Sequence, residues 1–265
     1  MDPSHAEVTL SDMKQRTRCR VAVALAGGTA AALIAGTTTT AAASMPSTAR
    51  TTAGCGADPA LFDFRDCPAL PAGADPAKWR CEVFVMHSSI KLGALDIRTL
   101  APMAATNAEG PLPDGGKGQV FGGLRAGPTR VDNAPAPFGG ALRLLPQYAG
   151  FSDFYSDGVH RGALDMKFRL QHPMLDEHCT IGADADPVKL RFLQDGTTEW
   201  VSKEPPILRF AVHDTAFAAP RSYGCGPLGK LVDRRLGLPA PSGQSKISAT
   251  AFYTFRSYDR LPTGS

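Results

Sequence analysis

The chain has 265 residues, with 28 Lys and Arg against 25 Asp and Glu and a formal net charge of +3. At 43% hydrophobic and 20% charged it has the balance of a globular protein, which excludes a largely disordered chain and a polytopic membrane protein. A charge of +3 spread over this length leaves no electrostatic footprint for nucleic acid.

The amino end reads as an export signal. Lys14, Arg16, Arg18 and Arg20 form a basic cluster, and Val21 to Gly36 is apolar or small throughout. Thr37 to Ser44 follows, with Ala41-x-Ala43 as a small-residue cleavage site. Basic, apolar and small segments in that order describe a secretory signal peptide. Residues 1–43 are therefore expected to leave the mature protein, and a start at Met13 would give a more compact signal. The sixteen apolar positions reach about 24 Å as a helix, short of the roughly 30 Å hydrocarbon core. An uncleaved anchor is the alternative, and it would need a longer span. Thr52-Ala53-Gly54-Cys55 imitates a lipoprotein ending, but eighteen residues separate Cys55 from Gly36, the end of the apolar core.

Residues 44–54 are rich in Ser, Thr and Ala and read as a flexible leader. Residues 55–265 then form one disulfide-stabilised, β-rich domain, long enough for a real core. Cys19 departs with the signal, leaving Cys55, Cys67, Cys81, Cys179 and Cys225. Outside the cytosol such thiols oxidise, and an odd number leaves one over. The favoured pairs are Cys67–Cys81, closing a Pro-rich loop, and Cys179–Cys225, tying a strand end to a Gly-Pro turn. The sequence leaves Cys55–Cys67 open. No Cys-x-x-Cys pair occurs, so a zinc site is not expected.

Along this domain the hydrophobic period is mostly two. Less regular apolar runs at Val83–Leu92, Leu95–Leu100, Gln119–Leu124 and Ala141–Leu145 are separated by turn-rich stretches such as Pro111 to Gly116. Strict alternation follows in Leu164–Leu170, Val188–Phe192, Leu208–Val212 and Ile247–Phe255. About eight strands with little helix between them predict an all-β, mainly antiparallel, sandwich-like fold. One short helix is expected at Pro227–Leu236, with Pro227 in the first helical position and Gly237 as its stop.

Signature motifs are absent: no Gly-x-Ser-x-Gly, no His-Glu-x-x-His, no P-loop and no complete EF-hand. Three clusters carry chemistry instead. Tyr148, Phe151, Phe154 and Tyr155, beside Asp153 and Asp157, are the candidate ligand-binding residues. Their rings suit a sugar or another flat ligand, or else cap one end of the core. His172 to Cys179 gathers imidazoles, carboxylates and a thiol, but a polar loop with Cys179 in a disulfide accounts for it, and no metal or other cofactor is expected. His213-Asp214 has the makings of a general base, although neighbours in a strand point to opposite faces.

The chain also resembles exported proteins of actinobacteria. The resemblance rests on Cys67-Pro68-Ala69-Leu70-Pro71, Trp79-Arg80-Cys81, Glu109-Gly110-Pro111-Leu112-Pro113, Gly224-Cys225-Gly226-Pro227-Leu228 and Arg234 to Pro239. It covers most of Cys67 to Leu261 and implies export, with no activity or site residue attached. The expectation is a secreted, extracellular or cell-wall-associated protein that binds a ligand or envelope component, with no stable membrane insertion after cleavage. A secreted hydrolase acting on a polymer through Asp153, Asp157 or Asp214 is the alternative. A membrane-tethered interaction module is a third, should the signal stay uncut.

Overall fold

Period-two alternation buries one face of each strand, and in the computed structural model, which describes residues 62–261, those faces share one core. The predicted signal, the leader and Cys55 lie outside the described residues. The elements run β1 (Arg80–Leu92), β2 (Leu95–Ile97), β3 (Met103–Pro111), β4 (Lys117–Ala126) and β5 (Thr129–Arg130). After these come β6 (Arg143–Asp153), β7 (His160–Gln171), β8 (Thr180–Ile181), β9 (Val188–Lys203) and β10 (Pro206–Asp214). Last are β11 (Ser222–Tyr223), α1 (Gly229–Leu236) and β12 (Lys246–Ser257).

All ladders between these strands are antiparallel, as expected. Eight long strands follow one hydrogen-bonded path, β6-β7-β9-β10-β12-β1-β3-β4. The sheet curls until its two ends meet, and Phe121 of β4 stacks on Tyr148 of β6 with centroids 3.9 Å apart. Side chains make that seam. Its halves face each other across the core, which gives the expected sandwich-like arrangement as one continuous sheet. The short strands extend it: β2 beside β1, β5 beside β6, and β8 with β11 along the end of β7.

β1 is buried on both faces, which explains why its sequence does not alternate. Phe84, Met86, Ile90 and Leu92 point into the main core. Cys81, Val83 and Val85 point outward, under a second cluster with Phe64, Ile207 and Phe252. An amino-terminal strap covers this outer face. Cys67–Cys81 staples it, Arg125 holds Asp63 at 2.6 Å and Asp66 at 2.5 Å, and Tyr258 donates to the Pro68 carbonyl at 2.7 Å.

Both favoured disulfides are present, Cys67–Cys81 and Cys179–Cys225. The helix differs from expectation at its start. Gly226–Leu228 forms a 3-10 turn containing Pro227, and the α-helix proper begins at Gly229. Its end is as predicted: Gly237 takes φ 64°, where a side chain would be strained, and closes the helix by donating to Asp233.

Candidate functional site

At one end of the curled sheet the inward-facing positions turn from apolar to polar. On β1 they run Met86, Phe84, Glu82, Arg80; on β12 they run Ala249, Ala251, Tyr253; on β3 they run Ala105, Asn107, Glu109. Register places Glu82 opposite Asn107 and Arg80 opposite Glu109, so these side chains share one face. Arg80, Glu82, Glu109 and Tyr253 line a cavity of about 270 Å³, with Phe84, Phe154, Leu208 and Phe210 as its apolar walls. Lys117, Tyr155, Ser156, Arg161 and Thr198 form the rim.

Glu82 is the buried centre of this polar group, only 2% exposed. Its Oε1 accepts from the Tyr253 hydroxyl at 2.7 Å and from Arg80 Nε at 2.5 Å. Arg80 reaches the Glu109 carboxylate at 3.3 Å as well, so one guanidinium bridges two carboxylates. Burial disfavours the charged carboxylate and raises the Glu82 pKa, against the pull of Arg80 and Tyr253. Burial likewise raises the Tyr253 pKa, and the neighbouring Glu82 adds to it.

A folded-state pKa above the unfolded value means that the native protein holds the proton longer. Stability is then lost as pH rises from about 4.3, the ordinary Glu value, through the raised one. Glu82→Gln removes this dependence. Relative to the parent protein, the variant is expected to gain stability as pH climbs above about 4.3, levelling off once the pH passes the raised Glu82 value. Urea midpoints at four pH values would check this, and a difference that stays flat with pH would contradict it.

Several buried polar atoms around the cavity have no hydrogen-bond partner among the described residues. They are both side-chain polar atoms of Asn107, the Gln119 Nε2 and the Tyr155 hydroxyl. Buried groups left unpaired cost about 1–3 kcal/mol each, and native interiors rarely tolerate several together. Four of the seven such atoms among the described residues belong to these three side chains.

Of the four aromatics singled out in the sequence, Phe154 and Tyr155 line the cavity; Tyr148 and Phe151 do not. Tyr148 sits deeper in the seam against Phe121. Phe151 is 46% exposed on the opposite face of β6, with the Arg191 guanidinium 5.3 Å from its ring centroid. Strand parity separates them.

None of Asp153, Asp157 and Asp214 lines this cavity. They hold backbone instead: Asp153 accepts from the Tyr155 amide, Asp157 from the Val159 and His160 amides, and Asp214 from the Arg191 and Ala216 amides. His213 and Asp214 do not act as a pair. The imidazole Nδ1 lies 2.7 Å from Asp195, out of hydrogen-bond alignment. The His172–Cys179 stretch is a turn, with His172 accepting from Met174, Asp176 accepting from His178, and Cys179 bonded to Cys225. Among the described residues no group of His, Cys, Asp or Glu is placed to hold a metal ion.

No family model, curated protein or solved structure matches this chain. The geometry therefore stands alone. Two segments far apart in sequence meet at this site: Trp79 Nε1 donates to the Pro111 carbonyl at 2.9 Å, and Arg80 reaches Glu109.

A larger depression of about 770 Å³ lies elsewhere, between 216–221 and 239–242. Its walls are mainly Ala, Pro and Phe217, and its carboxylate, Asp186, is engaged by the Tyr223 hydroxyl at 2.6 Å. The smaller cavity has the convergent polar groups that fix a ligand's orientation.

Tyr253 was legible in advance as an inward residue of an alternating strand. Glu82 was not. With Cys81, Val83 and Val85 buried on the other face, nothing in the sequence marks its side of β1.

Proposed function

We propose that the protein works outside the cytosol as a binding protein, holding a small ligand in the cavity at the polar end of its curled sheet. The observation that carries this reading is a cavity in which Arg80, Glu82, Glu109 and Tyr253 converge with the unpartnered Tyr155 hydroxyl, while the unpartnered Asn107 and Gln119 lie beside its lining residues Glu82 and Phe154. A ligand with its own donor or acceptor would satisfy the Tyr155 hydroxyl. An eight-stranded sheet closed on itself encloses room for side chains or one small ligand, and here side chains fill all but one end.

Export is supported by the order of basic, apolar and small segments before Ser44 and by two disulfides, which persist in oxidising compartments. Among the described residues no helix is long and apolar enough to cross a membrane. Secretion into the medium or retention at the cell wall both agree with this.

Fragment screening by ¹H–¹⁵N NMR tests the binding reading. Hits are expected to shift amides of Arg80–Phe84, Phe154–Arg161 and Leu208–Phe210. Hits confined to the 216–221 depression, or none at all, would reject it. A hydrolase is the second reading, favoured by the proximity of Glu82 and Glu109 about one guanidinium and by the raised pKa of Glu82, which suits a general acid. It requires turnover that Glu82→Gln abolishes while the protein stays folded.

A further inference from the structure

Resting on the binding reading, the charge distribution of the cavity narrows its ligand. Three cations and two carboxylates line it. Both carboxylates are taken up by one cation, since Arg80 pairs with Glu82 and Glu109. The other two cations have no carboxylate partner among the described residues. Lys117 Nζ stands 5.5 Å from the Tyr155 ring centroid. Arg161 is held by neutral oxygens only: Gln194 Oε1, Ser156 Oγ at 2.8 Å and Thr198 Oγ1 at 3.0 Å. Because Tyr155 and Ser156 are consecutive, these contacts bring both cations to one segment of the rim.

Below them the walls are aromatic. Phe84 stacks on Phe154 with centroids 5.0 Å apart and packs against Tyr253 at 4.8 Å, while the Arg161 guanidinium lies 5.4 Å from the Phe210 centroid. The volume of about 270 Å³ corresponds to roughly nine waters at about 30 Å³ each, enough for a single ring and one substituent.

We propose that the cavity selects a small aromatic acid, its ring among Phe84, Phe154 and Phe210 and its anionic group between Lys117 and Arg161. A monoanion balances the surplus charge, and a planar carboxylate can accept from the guanidinium and the ammonium together. The guanidinium already rests on an aromatic face, so it enters the complex ordered. A neutral ring would gain the apolar contacts but leave both cations unanswered, and a cationic ring would be repelled.

Benzoate, benzamide and benzylamine, nearly identical in shape, test this with the disulfide-intact chain by NMR titration of the Phe84, Tyr155 and Arg161 amides. Benzoate is expected to bind at least tenfold tighter than either analogue, and less tightly at high salt. Lys117→Gln and Arg161→Gln should each weaken benzoate about tenfold while changing benzamide less than twofold. Lys117 is exposed, so its replacement leaves the fold intact. Equal binding of all three probes, or benzoate binding indifferent to both substitutions, would overturn the acid preference and leave the binding reading standing. Failure of every ring to shift these amides would defeat the aromatic-acid proposal, while the binding reading stands or falls with the fragment screen.

Discussion

Replacing Cys179 and Cys225 together by alanine is expected to lower the unfolding free energy by about 4 kcal/mol, against about 3 kcal/mol for the Cys67/Cys81 pair. The difference follows from the loops closed, with separations of 46 and 14 residues. A longer loop restricts the unfolded chain more, and alanine suits the core positions of Cys179 and Cys225 better than a buried hydroxyl would. Urea unfolding of the two double variants measures both. The denaturant slope should also rise in each, because an uncrosslinked unfolded chain exposes more surface. The consequences in the native state differ too. Without Cys179–Cys225, the β8 edge loses its tie to the turn before α1. Without Cys67–Cys81, the strap over Val83, Val85 and Phe252 is held only by non-covalent contacts, the packing of Phe64 with ion pairs and hydrogen bonds, so this variant should expose apolar surface first. A smaller loss for the longer loop would show that native packing, and not chain entropy, sets the order.

The architecture was legible because the sequence declares it twice. Alternation in Leu164–Leu170, Leu208–Val212 and Ile247–Phe255 marked strands with one buried face, and Gly and Pro between Pro111 and Gly116 marked the hairpin that joins β3 to β4. The reach of β9 was hidden. It continues from Val188 to Lys203, but Asp195 to Trp200 is exposed on both sides, so hydrophobic period cannot show it; pairing with β10 does.

The site was less legible, for a physical reason. A cavity at the end of a curled sheet collects single residues from many strands, and each looks ordinary in its own neighbourhood. Local clustering found Phe154 and Tyr155, the two residues that directly follow the end of β6. Arg80, Glu82, Glu109, Lys117, Arg161 and Tyr253 come from five other strands and meet only through register. Local clustering likewise gathered Tyr148 and Phe151, which parity and depth remove from the cavity.

Trp79→Ala should cost about 3–5 kcal/mol, as large aromatic truncations in a tight core do. The side chain is 1% exposed and lies under the end of the β3–β4 hairpin. Its fit is unusually close, since a methyl group at Gly110 would come within 2.4 Å of the indole and one at Gly118 within 2.8 Å. Neither position has room for a side chain while the ring is there. The ring therefore fixes how near the hairpin approaches β1, and with it the positions of Glu109 and Lys117 at either end of that hairpin. Trp79→Phe keeps most of the volume and loses the bond to Pro111, leaving a carbonyl unpaired at a cost of about 1–3 kcal/mol. The two variants should separate stability from site geometry. Hydrogen exchange of amides 109–118 is expected to speed up strongly in Trp79→Ala and slightly in Trp79→Phe, and benzoate affinity should follow the exchange rather than the global stability. Affinity that tracks the unfolding free energy alone would mean the hairpin is positioned by its ladder to β1, with the indole serving only as filling.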